Sequence, residues 1–286
     1  MLENSGILYL CATPIGNLED MTYRAVRILK EVDVIAAEDT RHTRKLLSHF
    51  AIHTRLISYH EHNKAARGPE IIERLTAGQA VAVVSDAGLP GISDPGSDLV
   101  ALAVNAGIRV VPVPGANAAL SALVSSGLDT TLFSFIGFLP KNKKKRREVL
   151  SGFSSIPYTL IVYESPHRIR QTLAELKNAL GDRPAVAARE LTKKFEEFIR
   201  GTLASLALHF AENEPRGEFT LIVGGHNPEA VAAQGNTEQE DEDLPVSEAV
   251  MALMAAGVPK KEAIRSIAQQ RGLPKRDVYR EALVIE

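Results

Sequence analysis

Short apolar runs alternate with longer stretches of helical periodicity from residue 7 to about residue 125 of this 286-residue chain. The apolar runs at residues 7–12 and 80–84 have the length of buried strands, and residues 22–31 and 65–77 carry helical patterns. Successive parallel strands need a crossover between them, and a helix usually supplies it. The repeated order of strand, helix and strand therefore predicts an α/β domain with a mainly parallel sheet over residues 1–130.

The second half of the chain predicts a mixed sheet, followed by a linker and a small helical module. Strand patterns at residues 185–188 and 197–200 are separated by the short segment Leu191-Thr-Lys-Lys-Phe195, which favours an antiparallel hairpin and a mixed sheet. We expect a C-terminal α/β domain at residues 131–226 and an acidic linker at residues 227–244. Three helical pieces at residues 245–286 predict a small helix-turn-helix-like module, although any three-helix bundle would have this pattern.

A polar loop, Ser85-Asp-Ala-Gly-Leu-Pro-Gly-Ile-Ser-Asp-Pro-Gly96, directly follows one of the buried strands. Ligands bind beyond the carboxyl ends of strands in open α/β sheets, so this loop is a candidate ligand site. Its three glycines and two prolines exceed what a simple turn needs. The chain lacks both the Gly-x-Gly-x-x-Gly dinucleotide pattern and the Walker phosphate loop, so neither of those ligand classes is expected.

Composition narrows the classes of partner. The formal net charge of -2 provides no global attraction to nucleic acid, so such a partner must be held by local basic patches. No apolar run approaches the roughly 18 residues that cross a bilayer, and the first residues lack a signal-peptide pattern. We therefore expect a cytoplasmic protein without a membrane partner. The histidines form no known zinc motif, and no metal site is expected.

Six motifs in order along the chain carry a family resemblance. They are Thr13-Pro-Ile-Gly-Asn17, Glu38-Asp-Thr-Arg41, Ser85-Asp-Ala-Gly88, Val113-Pro-Gly115, Tyr163-Glu-Ser165 and Arg189-Glu-Leu-Thr192. This order resembles the tetrapyrrole methylase superfamily over nearly the whole chain. Porphyrin methylases have Gly-Pro-Gly where this chain has Thr13-Pro-Ile-Gly16, which favours the RNA-modifying branch. Leu89 departs from the family, since many relatives have threonine there.

The resemblance implies a fold of two α/β domains with a cofactor cleft between them. It also implies transfer of a methyl group from S-adenosylmethionine to the ribose 2′-hydroxyl of a cytidine in small-subunit (16S) ribosomal RNA, by a homodimer. The residues expected to hold the cofactor are Pro14, Ser85, Asp86, Leu89, Ala116, Asn117, Ala118, Glu164, Leu191 and Phe219. Two alternatives are a tetrapyrrole C-methyltransferase and a non-enzymatic helix-turn-helix protein that binds nucleic acid.

Catalytic candidates follow from the chemistry of a ribose hydroxyl, which is a poor nucleophile. A nearby base, or a cation that stabilises the developing alkoxide, would help its attack. Glu38 and Asp39 end a strand beside the expected cleft, and Arg189 ends another. For Asp39 the structural alternative is a cap on the helix that begins at Thr40. For Arg189 it is an ion pair, either with Glu190 or across the strands.

A basic segment, residues 141–147, has six positive charges in seven residues. Such a segment can neutralise several phosphates, although a solvated helix face is the usual meaning of a charge run. We predict that it contacts the RNA backbone, because it lies beside the expected cleft of a net acidic protein. The residues predicted to contact RNA are Arg41, His60, Lys141, Lys143, Lys144, Lys145, Arg146, Arg147, His167 and Arg168.

Overall fold

A computed structural model describes residues 6–228, 245–255, 259–270 and 272–282 of the chain. The chain forms two compact units, residues 1–226 and residues 227–286, and each is described separately below. The predicted acidic linker falls almost entirely on residues 229–244, outside the described residues.

The first sheet has five strands, all parallel, as the alternation of strand and helix patterns predicted. Its strands are β1 (Ile7–Cys11), β2 (Val34–Ala37), β3 (Arg55–Ser58), β4 (Val81–Val84) and β5 (Arg109–Val113), in the spatial order β3-β2-β4-β1-β5. Its helices are α1 (Tyr23–Glu31), α2 (Thr40–His49), α3 (Lys64–Thr76), α4 (Ser97–Asn105) and α5 (Ala118–Ser126).

Both faces of the first sheet are covered, which explains why its central strands are apolar throughout. Successive side chains of a strand point to opposite faces. In β2, Ile35 and Ala37 belong to one core cluster, while Val34 and Ala36 belong to another. All four residues are buried. Functional groups of this sheet are therefore confined to the loops at its strand ends.

The second sheet also has five strands, but it is mixed. Its strands are β6 (Phe133–Phe138), β7 (Thr159–Glu164), β8 (Pro184–Arg189), β9 (Glu197–Thr202) and β10 (Phe219–Val223), in the spatial order β6-β7-β10-β8-β9. Strands β8 and β9 pair antiparallel, which confirms the predicted hairpin. The helices are α6 (Lys143–Ser151), α7 (Ile169–Leu180) and α8 (Leu203–Glu212), of which α7 and α8 were not predicted.

Helix α5 of the first domain packs on the second sheet. Its residues Ala119, Ala122 and Leu123 share a core cluster with Ile161 and Ile222. This burial of apolar surface joins the two sheets into one compact unit.

Both ends of α5 are also hydrogen-bonded to the second domain. At the start of the helix, the backbone N–H of Ala119 donates to the hydroxyl of Tyr163 on β7, at 3.1 Å. At its end, Arg200 of β9 donates to the carbonyl of Ser125 at 2.6 Å. Helix α5 therefore helps to fix the position of the first-domain strand ends relative to the second sheet.

The C-terminal unit contains three helices, as predicted: α9 (Val246–Ala255), α10 (Lys260–Gln270) and α11 (Lys275–Ala282). A small apolar core that includes Val250, Ile264, Ile267 and Val278 holds them together. Over the part of the chain that the structure describes, no helix combines the length and apolar character needed to cross a bilayer.

Candidate active site

A cavity of about 370 Å³ lies between the carboxyl ends of the first-sheet strands and the second sheet. Seven residues predicted to hold the cofactor line it, together with the catalytic candidate Glu38. Those seven are Asp86, Leu89, Asn117, Ala118, Glu164, Leu191 and Phe219. We call the side formed by Glu38, residues 86–89 and residues 92–94 the first-sheet wall. The side formed by residues 163–165, Ala188, Glu190, Leu191, Lys193 and residues 218–220 is the second-sheet wall.

The first-sheet wall is shaped by a pair of backbone hydrogen bonds between two strand ends. The N–H of Thr13 donates to the carbonyl of Gly88 at 2.9 Å, and the N–H of Gly88 donates back to Thr13 at 3.0 Å. Gly88 has a φ of +78°, a conformation that glycine adopts without steric cost. The motifs Thr13-Pro-Ile-Gly16 and Ser85-Asp-Ala-Gly88 are thereby held side by side.

Three residues predicted to hold the cofactor do not line the cavity. Ser85 is buried, and its hydroxyl donates to the carbonyl of Ala87 at 3.3 Å, so it shapes the loop. Pro14 and Ala116 are half-buried neighbours of the lining residues Ile15 and Asn117.

Three carboxylates, Glu38, Asp86 and Asp94, lie together on the first-sheet wall. The Asp86 N–H donates to Glu38 at 3.5 Å, and Asp86 accepts from the Asp39 N–H at 3.1 Å. Burial, and secondarily the charge of Asp86, raises the pKa of Glu38. Burial, then the charges of Glu38 and Asp86, raises the pKa of Asp94 to about 6. None of the three carboxylates forms an ion pair within the described residues.

Sequence reasoning missed Asp94. The sequence predicts Asp86 of loop 85–96 as a site residue but gives no role to the second carboxylate of that loop. Its position in the same polar loop after a buried strand was the available signal, because such loops reach the ligand side of the sheet.

Asp39 has the geometry of a helix cap. Its carboxylate accepts from the backbone N–H of Arg41 at 2.7 Å and from the Arg41 guanidinium at 2.8 Å. These hydrogen bonds hold the pKa of Asp39 well below its usual range. Asp39 is also absent from the cavity lining. The structure therefore favours the capping alternative over a role as proton acceptor, since a carboxylate with a low pKa is a weak base.

Arg189 forms the cross-strand ion pair that was the alternative to a catalytic role. Its guanidinium lies 3.4 Å from Glu197 on β9, and it does not line the cavity. Its Nε atom is buried without a hydrogen-bond partner among the described residues. Glu190 pairs instead with Lys193, at 2.9 Å.

The second-sheet wall holds its carboxylates in hydrogen bonds. Glu164 is buried and accepts from the Ser165 N–H at 2.8 Å and from the Thr172 hydroxyl at 2.6 Å. Arg168 lies 3.7 Å from the same carboxylate. Glu164 thus lines the cavity while it also anchors the beginning of α7. Arg168, half-buried, has a structural partner as well as its predicted RNA contact.

The basic segment forms the beginning of α6, where Asn142 caps the helix by accepting from the Lys145 N–H at 3.1 Å. Lys141, Lys143, Lys144, Lys145 and Arg147 are exposed. Arg41 and His167 are exposed as well, while His60 is half-buried.

Arg146 corrects the RNA-contact prediction. It is only 4% exposed and is paired with Glu175, to which its Nη2 donates at 2.7 Å. It also donates to the carbonyl of Pro140 at 2.9 Å. A side chain that is buried and fully hydrogen-bonded pins the basic segment to the body and does not present its charge to a phosphate. Helical periodicity places one residue in three or four of a surface helix against the core.

No group of three or more histidine, cysteine, aspartate or glutamate residues in the described ranges is arranged to hold a metal ion.

Residues 8–207 match the family of Tetrapyrrole (Corrin/Porphyrin) Methylases, which covers most of both α/β domains. The chain belongs to this family. Its membership confirms the superfamily and the two-domain α/β fold that the six motifs predicted, and it makes the chain a methyltransferase. The non-enzymatic alternative is thereby removed for the α/β unit.

Similar proteins extend the match to the C-terminal unit. The chain is 54% identical to the ribosomal RNA small subunit methyltransferase I of Halalkalibacterium halodurans over 97% of its own length and 94% of the relative's. It is 49% identical to the protein of that name from Synechocystis, over 98% and 99% of the two chains. The crystal structure of uroporphyrin-III C-methyltransferase from Thermus thermophilus complexed with S-adenosyl homocysteine shares the fold, with a TM-score of 0.56, 22% identity and coverage of 77% and 97%.

Proposed function

We propose that this protein transfers a methyl group from S-adenosylmethionine to the 2′-hydroxyl of a cytidine ribose in small-subunit (16S) ribosomal RNA. The observation that carries the proposal is the 54% identity, over nearly the full length, to a ribosomal RNA small subunit methyltransferase I. The matched region includes the C-terminal helices that lie beyond residue 207, where the family match ends. The ribosomal RNA methyltransferase is 54% identical to this chain, whereas the uroporphyrin-III C-methyltransferase is 22% identical to it. The ribosomal RNA enzyme is therefore the better guide to the substrate.

The cavity fits a nucleoside methyl donor. Its volume lies within the range of about 300–1,000 Å³ typical of small-molecule sites. Leu89, Leu191 and Phe219 supply apolar surface, while Asp86 supplies a carboxylate. S-adenosylmethionine brings a methyl group already activated on a cationic sulfonium, so the protein's part is largely to position the acceptor. The Asp86 carboxylate, which forms no ion pair among the described residues, suits a cationic ligand.

The exposed lysines of the basic segment support an RNA substrate. Lys143, Lys144 and Lys145 lie on the first turn of α6, and α6 follows Phe138 of the cavity lining by five residues. Each lysine can contact a phosphate, which positions an RNA without reading its sequence. We propose the same role for Lys141, Arg147, Arg41, His60 and His167. The homodimer and the cytoplasmic location stay predictions.

Methylation of unmodified small ribosomal subunits tests the proposal. The protein is incubated with labelled S-adenosylmethionine in three separate reactions, which contain assembled subunits, naked 16S RNA or a porphyrin precursor as the acceptor. We expect label in RNA, at one cytidine whose 3′ phosphodiester resists alkali because its 2′-oxygen is blocked. Label on the porphyrin alone would establish the tetrapyrrole alternative, and label on an RNA base would overturn the ribose assignment.

A further inference from the structure

Asp94 occupies a fixed position in the cavity wall. A Cβ added at Gly96 would lie 2.9 Å from the backbone nitrogen of Gly91, so the two ends of segment 91–96 approach closely. Ser93, the residue before Asp94, has a φ of +65°, which is uncommon for a residue with a side chain. Such backbone conformations persist where the surrounding structure holds them, and they cluster at functional sites. The carboxylate is therefore carried by a short, constrained loop that reaches the cavity.

The ionisable groups around Asp94 come from the end of β2, from its own loop and from β7. Glu38 follows β2, Asp86 lies earlier in the same loop, and Tyr163 lies on β7 across the cavity. Other ionisable groups that line the cavity have partners of their own. Glu164 pairs with Arg168, while Lys193 bridges Glu190 and Glu218 at 2.9 Å each. Asp94 has acidic neighbours and no cationic partner among the described residues.

We propose that Asp94 is the catalytic base that accepts the proton of the ribose hydroxyl during methyl transfer. The inference rests on the proposed function. The bond between the ribose oxygen and the methyl carbon forms as the carbon–sulfur bond breaks, the electron pair of that bond goes to sulfur, and the hydroxyl proton goes to the Asp94 carboxylate.

The neighbouring carboxylates suit this step less well. Asp39 is held by Arg41 at a low pKa and lies outside the cavity lining. Glu38 and Asp86 each accept a backbone N–H, at 3.5 Å and 3.1 Å, whereas the hydrogen bond to Asp94 comes from the Ser85 side chain and only partly offsets the upward shift of its pKa. A base is most effective when its pKa lies near the working pH, and that of Asp94 is raised to about 6. Asp94 is thus mostly ionised at neutral pH yet more basic than an ordinary aspartate.

Single-turnover rates with unmodified small subunits and saturating S-adenosylmethionine test the inference. Asp94→Asn is expected to lower the rate at pH 7.5 by about 100-fold or more, since a positioned base contributes typically 10²–10⁴-fold. Binding of S-adenosylmethionine, measured by calorimetry, should change by less than about threefold. Asp98→Asn is the matched control, because Asp98 is exposed on α4, pairs with Lys64 and is absent from the cavity lining.

The pH profile separates a base from a merely structural residue. The wild-type rate should fall as the pH drops below about 6, and Asp94→Asn should lose this acid limb. Glu38→Gln should keep the limb but move it to lower pH, because a negative neighbour of Asp94 is removed. Asp94→Glu should recover part of the rate. Folding of each variant is checked by thermal unfolding.

Several outcomes would overturn the inference while the proposed function stands. They are an Asp94→Asn rate within threefold of wild type, loss of the acid limb in Glu38→Gln instead, and a rate loss explained entirely by weaker cofactor binding. If the wild-type protein places no methyl group on ribose, the proposed function itself fails.

Discussion

On the first-sheet wall of the cavity, Glu38, Asp86 and Asp94 lie together and form no ion pair among the described residues, and burial raises the pKa of Glu38 and Asp94. On the second-sheet wall, Glu164 pairs with Arg168, and Glu190 pairs with Lys193. The two walls face one cavity but use their carboxylates differently. Carboxylates in ion pairs stabilise the fold. Carboxylates that are crowded and not in ion pairs are destabilised by desolvation and by repulsion, and a bound ligand or a proton relieves this destabilisation.

The two walls should contribute differently to the stability of the fold. Neutralising a carboxylate on the second-sheet wall removes favourable hydrogen bonds and leaves a cation without its partner. Neutralising a carboxylate on the first-sheet wall removes its repulsion with the neighbouring carboxylates and the cost of desolvating its charge. We therefore expect mutations on the two walls to change the free energy of unfolding in opposite directions.

The largest effect is expected for Glu164→Ala. It removes the acceptor of the Ser165 N–H and the Thr172 hydroxyl and the partner of Arg168. We expect the free energy of unfolding to fall by about 3 kcal/mol, measured by urea denaturation. Glu214→Ala, which breaks an exposed pair with Arg216, is the control and should leave the free energy of unfolding almost unchanged, because solvent screens an exposed ion pair. Equal losses in the two variants would contradict a structural role for the buried carboxylate.

The next effect concerns the cofactor. Asp86→Asn removes a negative charge from the first-sheet wall but preserves the shape of the side chain. We expect S-adenosylmethionine to bind about 10-fold more weakly, or about 1.4 kcal/mol, in isothermal titration calorimetry. The unfolding free energy should not fall. Unchanged affinity would show that the ligand does not use this carboxylate, and the wall would then serve the acceptor alone.

The smallest effect is a gain of stability. The folded-state pKa of Asp94, about 6, lies above the unfolded value of about 3.8. Stability from this group is therefore present below about pH 4 and is lost as the pH rises through 6. Asp94→Asn mimics the protonated form. It should raise the unfolding free energy at pH 7 by about 1 kcal/mol, less than the roughly 3 kcal/mol that the full pKa shift corresponds to, because Asp94 is only half-buried and solvent screens its charge, and it should change almost nothing at pH 4. Chemical denaturation at the two pH values measures this difference. A loss of stability at pH 7 would contradict the proposed contrast between the walls.

Much of the fold could be predicted from the pattern of apolar residues. The patterns expected at residues 22–31, 65–77 and 80–84 agree to within one residue with the bounds of α1, α3 and β4. Helices α7 and α8 were missed even though Leu173, Leu176 and Leu180 have helical spacing. The sequence contains this periodicity, so α7 could have been predicted from it.

The site was predicted only in part. The motifs located the loops, because each motif follows a strand whose end reaches the ligand side of the sheet. They did not tell which side chains face the cavity. Ser85 and Arg146 turn inward, Asp39 folds back onto Arg41, and Arg189 reaches across to Glu197. Each of these outcomes depends on a partner that local sequence does not identify.

By itself, the sequence determined the parallel sheet, the hairpin of the mixed sheet, the three C-terminal helices and the methyltransferase family. These follow from periodicity and from ordered motifs, both of which are local properties of a chain. Only the tertiary structure decided which carboxylates remain without a cation, because burial and charge pairing depend on residues that are distant in the sequence. Glu38, Asp86 and Asp94 come from two loops that meet when β2 and β4 pair side by side.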